Sequence, residues 1–403
     1  MKLSCRETDI GLIPVGWEIA TIGDLCHIFG RIGFRGYTVK DIVDEGNGAI
    51  AINPSNIQDG KTLFENCTYI SWYKYEESPE IKIFDGDVIL VKTGSTFGKT
   101  AMVKNLPSKA TLNPQMLVFK KIKPNPVFFS YILGFKTIQD QINIAVAGGA
   151  LPTLSQRLIA KFKLSLPSTQ SEQLAIAQSL SDVDSLLTTL DKIIIKKRHI
   201  KQAVIQQLLT GKIRLPGFGG EWVEKTLGSM CGHLTTGKLD ANAMSPDGSY
   251  RFYTCAKDFY YINNYAFDCE ALLISGNGAH VGYIHYYKGK FNAYQRTYVL
   301  SNFSAEIKYL QYYLSEKFSE RVLLEVKAGG TPYITRNTIV DMLVKLPSSI
   351  DEQKAIAKIL SDIDEELLKL EERHNKTKQL KQAMMQELLT GKTRLVKPEA
   401  THA

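Results

Sequence analysis

The sequence has few of the residues on which disulfide-rich and metal-binding proteins depend. Its 403 residues include six cysteines, at positions 5, 26, 67, 231, 255 and 269, and no two of them form a Cys-x-x-Cys pair. Its seven histidines form no His-x-x-x-His pair with a nearby carboxylate. We therefore expect neither a disulfide framework nor a metal site, and we expect the cysteines to pack as small apolar side chains.

Long apolar runs are also missing. No stretch approaches the roughly 18 consecutive apolar residues that a membrane helix needs. The first residues, MKLSCRETDIGLIPVGW, lack the apolar core of a secretory signal. We expect a cytoplasmic protein without membrane contact. Apolar residues make up 44% of the chain, an ordinary value for a soluble protein, and the length suffices for two or three domains.

Positive charge is in modest excess. The formal net charge is +8 at pH 7, which suits a polyanionic partner such as DNA. Many proteins that bind no nucleic acid carry a similar charge. The charge alone therefore does not identify the partner.

An internal repeat organises the chain. Residues 166–215 and 346–395 align without a gap at a constant offset of 180 residues, and about half of the aligned positions are identical. Each copy starts with Leu-Pro, a serine or threonine and then Glu-Gln, which is typical of a capped helix start. Each copy ends in Leu-Leu-Thr-Gly-Lys, where Gly211 and Gly391 would stop the helix. The repeat predicts two matching helices of about 38 residues, each ~57 Å long.

Each predicted helix carries an apolar stripe with the spacing of a coiled coil. The other copy presents the same stripe, so we predict that the two helices bury their stripes against each other in an antiparallel coiled coil. Two amphipathic helices that each pack on their own domain remain an alternative. The predicted seam consists of Leu180, Val183, Leu187, Leu190, Ile194, Leu360, Ile363, Leu367, Leu370, Leu380, Met384 and Leu388.

The segments before the helices repeat more faintly. Trp17 lies opposite Trp222, and residues 147–168 parallel residues 328–348. Short β-rich runs broken by Gly, Asn and Asp lie between these landmarks, and we expect each tryptophan to anchor a core. The pattern predicts an α+β chain with an approximate two-fold internal repeat. Its predicted parts are two globular domains with β-rich cores (1–165 and 216–345), two helical segments (166–215 and 346–395) and a tail (396–403).

A glycine turn in each globule resembles a nucleotide site at first sight. In VILVKTGSTFGKTAMV, residues 88–103, three residues separate Gly94 from Gly98-Lys99-Thr100, whereas a phosphate loop has four. The matching turn from Gly278 to Gly282 lacks the lysine and the threonine. We therefore do not expect ATP binding. The glycines would let the backbone approach a partner closely, or the protein's own sheet, and the sequence leaves both readings open.

Amides and an arginine follow these turns. The segment NPQMLVF (113–119) aligns with YQRTYVL (294–300), which pairs Gln115 with Gln295. Such side chains on diverged loops are the ones that read adenine and guanine in DNA. Asn-Pro-Gln resembles part of an adenine methyltransferase motif, but the second proline and the aromatic residue are missing, and no glycine-rich cofactor loop lies nearby. We therefore expect no catalytic residues in this chain.

Two diverged globules that alternate with two near-identical helices, starting LPS…EQ…AIA and ending LLTGK.RL, resemble the specificity subunits of Type I restriction-modification systems. The resemblance covers nearly the whole chain. It implies that each globule is a target-recognition domain for one half of a bipartite site in double-stranded DNA, and because the two globules differ, we expect that site to be asymmetric. It also implies that the helices dock two modification (methyltransferase) subunits, which restriction subunits join. S-adenosylmethionine, ATP and Mg²⁺ would be bound by those partners, and no cofactor by this chain.

Two other classes of protein remain as alternatives. An enzyme that methylates DNA or hydrolyses nucleotides by itself would need a cofactor loop. A scaffold that does not bind DNA would carry two unrelated ligand modules on the coiled coil.

Candidate DNA contacts are polar or cationic residues on loops at matching places in the two globules, because phosphate contacts position a protein and base contacts give specificity. In the first globule they are Arg31, Arg35, Asn53, Ser55, Asn56, Lys92, Thr93, Ser95, Lys99, Asn113, Gln115, Ser155 and Gln156. In the second they are Lys238, Lys257, Asn277, His280, Tyr294, Gln295, Arg296, Thr335, Arg336 and Asn337.

Overall fold

The computed structural model describes residues 5–146, 154–325 and 331–396. Two compact units emerge: unit 1 comprises residues 1–189 and 375–403, and unit 2 comprises residues 190–374. Each unit therefore contains one globule and a part of both repeated segments, whereas the sequence pattern suggested separate globular and helical segments. Part of the faint parallel between the globules (147–153 and 328–330) and most of the predicted tail (397–403) lie outside the described residues.

The globule of unit 1 is built from short strands and helices. Its strands are β1 (Cys5–Thr8), β2 (Gly11–Pro14), β3 (Trp17–Thr21), β4 (His27–Gly30), β5 (Ile42–Val43), β6 (Gly48–Ile52), β7 (Ile57–Gln58), β8 (Lys61–Thr62), β9 (Thr68–Ser71), β10 (Val88–Val91), β11 (Thr100–Met102), β12 (Ala110–Leu112), β13 (Met116–Lys120) and β14 (Lys163–Pro167). Its helices are α1 (Ile22–Leu25), α2 (Trp72–Glu76), α3 (Pro126–Leu133), α4 (Lys136–Val146) and α5 (Gln156–Ile159), after which the long helix α6 (Gln170–Leu208) begins.

Two sheets form the centre of this globule. One has the order β4-β13-β10-β11-β8-β7 and the other the order β12-β6-β9-β5, while β3 pairs with β14. Every residue of β6 (GAIAI) and β10 (VILV) is buried, as continuous apolar runs inside a globule are expected to be. The helix α3 starts with Pro126, after the Asn125 side chain, which accepts hydrogen bonds from the N–H groups of Val127 and Phe128.

Unit 2 contains a similar but not identical globule. Its strands are β15 (Trp222–Thr226), β16 (Cys231–Thr236), β17 (Tyr250–Tyr253), β18 (Tyr260–Ile262), β19 (Phe267–Ser275), β20 (Ile284–Ala293), β21 (Thr297–Phe303) and β22 (Leu343–Pro347). Its helices are α7 (Leu227–Met230), α8 (Ile307–Glu325) and α9 (Arg336–Val340), and the second long helix is α10 (Ile350–Leu388). One sheet has the order β16-β21-β19-β20-β17-β18, and β15 pairs with β22. The predicted α+β class is confirmed.

In unit 1, the segments of the two long helices run antiparallel. Leu180, near the start of α6, lies in the same core as Leu388, at the end of α10. Further along α6, Asp184 binds Lys381, which comes earlier in α10, with 2.7 Å between Oδ1 and Nζ. The order of contacts is thus reversed between the helices. Tyr131 of α3 donates a hydrogen bond to the same aspartate at 2.7 Å, so the globule is joined to both helices at one carboxylate.

Unit 2 repeats this arrangement with the copies exchanged. Lys201 of α6 binds Asp364 of α10 at 2.6 Å, and the hydroxyl of Tyr312 donates to Asp364 at 2.8 Å. Ile205 and Leu360 lie in one core. Because the aspartate comes from α6 in unit 1 and from α10 in unit 2, each repeated segment carries both halves of the contact.

Most of the predicted seam is buried or half-buried. Leu180, Leu190, Ile194, Leu360, Leu367 and Leu388 are at most 8% exposed, and Val183, Leu187, Ile363, Leu370 and Met384 are half-buried. The prediction for Leu380 is wrong, because its side chain is 54% exposed. The buried position one turn earlier is Thr377, which is 7% exposed. Because threonine is polar, the apolar pattern of the sequence did not include this position in the buried stripe.

A buried ion pair closes each unit. The carboxylate of Glu172, at the start of α6, is 1% exposed and is bound by Nε and Nη2 of Arg394, which also donates to the carbonyl oxygen of Val15. Glu352 and Arg214 form the matching pair in unit 2, with both nitrogen–oxygen distances at 2.6 Å. The glutamate of the expected capping motif therefore pairs with an arginine of the other repeated segment.

The glycines at the helix ends have the predicted backbone geometry. Gly211 has φ +71° and Gly391 has φ +68°, the left-handed conformation that ends a helix. A Cβ on Gly391 would lie 3.0 Å from the ring of Trp17, and one on Gly211 would lie 3.1 Å from the ring of Trp222. Trp17 is 2% exposed and Trp222 packs on the unit 2 core, so both tryptophans serve in cores. Among the described residues, no helix is both long and apolar enough to cross a membrane.

We expect Arg394→Ala to lower the free energy of unfolding of unit 1 by about 3–5 kcal/mol, because the substitution leaves a buried carboxylate unpaired. Urea titration of the full chain measures the change. Lys358→Ala serves as the control, since it removes an exposed pair with Asp362 and should leave the stability nearly unchanged. Equal small effects of both substitutions would contradict the assigned role of the buried pair.

Adjacent leucines provide a second test. Leu367 is 8% exposed and Leu368 is 57% exposed. We expect Leu367→Asp to lower the free energy of unfolding by at least about 3 kcal/mol, because it places a charge in the buried stripe. Leu368→Asp should change it little. Thermal and urea unfolding of both variants measure the two changes in stability. A comparable loss of stability in both variants would contradict the assignment of Leu367, and not Leu368, to the buried stripe.

Candidate nucleic-acid interface

The glycine turn of unit 1 is the tip of a β-hairpin. It connects β10 to the antiparallel strand β11, whereas a phosphate loop leads from a strand into a helix. Gly94 and Gly98 have φ of +96° and +80°. The N–H of Gly98 donates to the carbonyl oxygen of Val91 at 2.8 Å, and that of Phe97 to Gly94 at 3.2 Å.

The turn of unit 2 has the same backbone geometry. Gly278 and Gly282 both have φ of +81°. The N–H of Gly282 donates to Ser275 at 2.8 Å, and that of Val281 to Gly278 at 3.1 Å. The two turns therefore match bond for bond, although only their glycines are shared in sequence.

The structure shows which of these glycines pack against the protein itself and which are open to a partner. A Cβ on Gly98 would lie 2.9 Å from Gln139 Oε1, and one on Gly282 would lie 2.8 Å from Val322 Cγ2. These two glycines are needed where the turn packs on its own globule. A Cβ on Gly278 would meet nothing within 4 Å, so the outer side of the turn is open to a partner.

Two further segments join each turn through backbone hydrogen bonds. In unit 1, the N–H of Lys92 donates to the carbonyl oxygen of Gln115 at 2.8 Å. The N–H of Leu154 donates to the carbonyl oxygen of Lys92 at 2.9 Å. We call the resulting assembly edge 1; it consists of residues 92–99, 113–115 and 154–156.

Edge 2 is the matching assembly in unit 2 and consists of residues 276–283, 294–296 and 334–337. The N–H of Gly276 donates to Arg296 at 2.8 Å, and that of Ile334 donates to Gly276 at 2.9 Å. By these bonds Gln115 corresponds to Arg296. The sequence alignment of Gln115 with Gln295 is therefore wrong by one residue. Strand pairing gives the correct match: Val91 pairs with Met116 in unit 1, and Ser275 pairs with Thr297 in unit 2. The alignment had followed the two identical glutamines instead.

Most predicted contacts of the first globule are accessible. Lys92, Thr93, Ser95, Lys99, Gln115 and Gln156 belong to edge 1, as does Ser155, whose hydroxyl accepts a hydrogen bond from the N–H of Leu158 and caps α5. Ser95, Lys99, Gln115, Ser155 and Gln156 are exposed. Burial lowers the pKa of the half-buried Lys92. Ser55 is exposed and Arg35 half-buried, and both lie outside edge 1 as defined.

Two predicted contacts are contradicted by burial. Arg31 is 4% exposed, and its guanidinium donates to the carbonyl oxygen of Leu112 at 2.9 Å and to the hydroxyl of Thr111 at 3.0 Å. Burial also lowers its pKa. Asn56 is 4% exposed, and its amide donates to the carbonyl oxygen of Leu63 at 3.0 Å. The polar groups of both side chains are used inside the globule.

Asn53 and Asn113 also have internal partners. The Asn113 amide donates to Asn53 Oδ1 at 2.6 Å and to the hydroxyl of Tyr37 at 2.9 Å. Its own oxygen accepts the N–H of Gln115 at 2.8 Å. Asn113 therefore shapes the backbone that presents Gln115. Tyr37 was not among the predicted site residues, because nothing in its local sequence links it to residues 76 positions away.

In unit 2, the exposed predicted contacts are Lys238, Lys257, Gln295, Arg296, Thr335, Arg336 and Asn337, and the half-buried ones are Asn277, His280 and Tyr294. The amide of Gln295 donates to Asp240 at 2.7 Å. The hydroxyl of Thr335 accepts the N–H of Thr338 and caps α9, as Ser155 caps α5. Lys238 and Lys257 lie outside edge 2 as defined.

The sequence reading missed Tyr283, which follows the second glycine of the unit 2 turn. Its ring is 40% exposed and packs edge-on against His285 at 4.8 Å between centroids. His285 Nε2 donates to the carbonyl oxygen of Ala256 at 2.9 Å, and burial lowers the pKa of its imidazole. The position directly after a matched glycine was the available signal. Within residues 5–146, 154–325 and 331–396, no group of three or more His, Cys, Asp or Glu side chains could hold a metal ion.

Comparisons with known proteins agree with these matched halves. The family model described as "Type I restriction modification DNA specificity domain" matches residues 14–198 and again residues 219–382. The chain is 37% identical over 175 residues to the Type I restriction enzyme EcoDI specificity subunit of Escherichia coli, a match that covers 42% of this chain and 38% of that protein. It is 25% identical over 421 residues to the putative MjaX specificity subunit of Methanocaldococcus jannaschii, covering 97% and 96% of the two chains.

A solved structure shares the fold. The Type-I restriction-modification system S subunit from M. genitalium superimposes with a TM-score of 0.63 at 17% identity, covering 92% of this chain and 96% of that one.

Proposed function

Because this chain belongs to the family of Type I restriction-modification DNA specificity subunits, we propose that each of its units reads one half of a bipartite, asymmetric site in double-stranded DNA. Edge 1 would read one half and edge 2 the other. The long helices would dock two modification subunits, which restriction subunits join. Methyl transfer and DNA cleavage, with S-adenosylmethionine, ATP and Mg²⁺, would take place on those partners.

The observation that best supports this proposal is that the two edges have the same backbone hydrogen bonds but present different side chains. The matched position holds Gln115 in edge 1 and Arg296 in edge 2, and both side chains are exposed. Glutamine forms paired hydrogen bonds with adenine in the major groove, and arginine does so with guanine. A common frame with different readers is suited to a target made of two different sequences.

Cations near each edge would bind the phosphate backbone. Lys99 is exposed in edge 1, Arg336 is exposed in edge 2, and Lys238 and Lys257 are exposed elsewhere in unit 2. Contacts to phosphate fix the position of a protein on the duplex without selecting a base. The remaining exposed hydroxyl and amide residues of the two edges would complete the reading.

Exposed apolar residues on the long helices support the docking part of the proposal. In unit 1, Leu174 and Leu380 are 56% and 54% exposed, and in unit 2, Ile195 and Leu368 are 53% and 57% exposed. We propose that these exposed apolar side chains belong to the surface that a modification subunit would cover.

We expect Arg296→Ala to weaken binding to the cognate site by about 1–3 kcal/mol and to relax the requirement at one base position, if the arginine reads a guanine. Binding of the assembled methyltransferase complex to a set of singly substituted duplexes measures both effects. Lys288→Ala removes the same charge from the middle of β20, where Lys288 lies opposite Glu270, and should leave the base requirement intact. Equal weakening on every duplex would instead make Arg296 a phosphate contact.

Gln115→Ala tests the other half of the proposal. It should relax one position in the half of the site that Arg296→Ala leaves unchanged, because the two residues occupy matching places in different units. The same duplex set is the measurement. Relaxation of the same half by both substitutions, or binding by the complex that does not depend on sequence, would contradict the assignment of one half-site to each unit. The scaffold alternative requires the absence of salt-dependent DNA binding.

A further inference from the structure

Unit 1 contains a cavity of about 690 Å³ between its globule and its segments of the long helices. The hairpin β7–β8, the glycine turn with β11, and α3 form its walls on the globule side. Asp184 and Thr188 of α6 and Lys381 of α10 form the other side. Cavities of about 300–1,000 Å³ are the size that encloses small-molecule ligands.

The lining is cationic. Lys61, Lys99, Lys104 and Lys381 face two acidic residues, Asp59 and Asp184. Asp184 is already paired with Lys381 at 2.7 Å, and Lys61 donates to the hydroxyl of Thr188 at 2.6 Å. Lys99 and Lys104 are exposed and form no ion pair with any residue that the structure describes. The cavity thus offers positive charge that the protein does not neutralise.

Unit 2 has larger side chains, in contact with each other, at two positions that match the cavity lining. Strand register matches Met102 to Tyr286, because Met102 pairs with Val88 and Tyr286 with Leu272. The helix contacts of Tyr131 and Tyr312 match Val127 to Lys308. In unit 2 the ammonium of Lys308 lies 3.3 Å from the centroid of the Tyr286 ring. The smaller pair Met102 and Val127 leaves this space open in unit 1.

We propose that the cavity of unit 1 binds a phosphate-bearing small molecule of mononucleotide size. Lys61 and Lys104 would bind the phosphate, and Phe97, Met102 and Val127, which also line the cavity, would pack against the base. A mononucleotide is a ligand of the size that a cavity of about 690 Å³ accommodates.

Isothermal titration of the full chain with AMP tests the proposal, with adenosine as the probe that lacks phosphate. We expect one AMP per chain and at least about tenfold weaker binding of adenosine, because the charge-assisted bonds are lost. Saturating duplex DNA should not displace AMP. Absence of AMP binding at millimolar concentration, adenosine binding as tight as that of AMP, or displacement of AMP by the duplex would each overturn the proposal.

Variants locate the site. Met102→Tyr combined with Val127→Lys copies the side chains of unit 2 and should abolish AMP binding by filling the space. Lys61→Met with Lys104→Met should weaken it at least about tenfold. Lys288→Met is the matched control and should leave AMP binding unchanged, since Lys288 follows Tyr286 by two residues as Lys104 follows Met102.

Circular dichroism and urea unfolding of each variant establish that the chain is folded. The site would be wrong if the folded variant with Met102→Tyr and Val127→Lys still bound AMP. It would also be wrong if Lys288→Met weakened AMP binding as much as Lys61→Met with Lys104→Met does. The DNA-binding proposal has a separate readout, the base requirement on duplexes, so that the failure of one does not imply the failure of the other.

Discussion

A buried carboxylate at the start of each long helix needs an arginine from the end of the other repeated segment, and both units depend on this contact. Glu172 is satisfied by Arg394 and Glu352 by Arg214, and the Tyr–Asp–Lys contacts at Asp184 and Asp364 lie further along the same helices. Because an unpaired buried charge is strongly destabilising, loss of either repeated segment from a unit would destabilise that unit. This requirement accounts for the glutamate, aspartate, lysine and arginine that both repeated segments hold at matching positions.

The same logic applies at the two edges. Backbone hydrogen bonds, which are indifferent to side-chain identity, hold three segments together in each unit. Side chains on the open side of that frame can therefore differ without changing the fold, as Gln115 and Arg296 do. The shared backbone arrangement explains how one fold presents two different sets of side chains. Elsewhere the units also differ: Met102 and Val127 line the cavity of unit 1, where unit 2 has Tyr286 and Lys308 in contact.

Much of this architecture could be predicted from the sequence, because helices with a 3-4 apolar spacing, stop glycines and core tryptophans leave strong local patterns. The failures have physical causes. Arg31 is a cation in a loop by sequence, but its partners lie about 80 residues away. Leu380 fits the heptad, yet Thr377 takes the buried place. The match of Gln115 to Arg296 depends on strand register. The sequence alignment paired Gln115 with Gln295 instead, because the two residues are identical. Long-range contacts of this kind leave no signal in a single sequence.

The central claim is that two matched frames with different side chains read two different DNA sequences as one split target. Sequencing of methylated adenines across the host genome, with and without this gene, tests it most directly. The account predicts a single gene-dependent motif made of two unlike sequences separated by unread bases, with Gln115 and Arg296 each affecting a different one. A contiguous motif, two identical halves, or a methylation pattern that does not change when the gene is removed would contradict it.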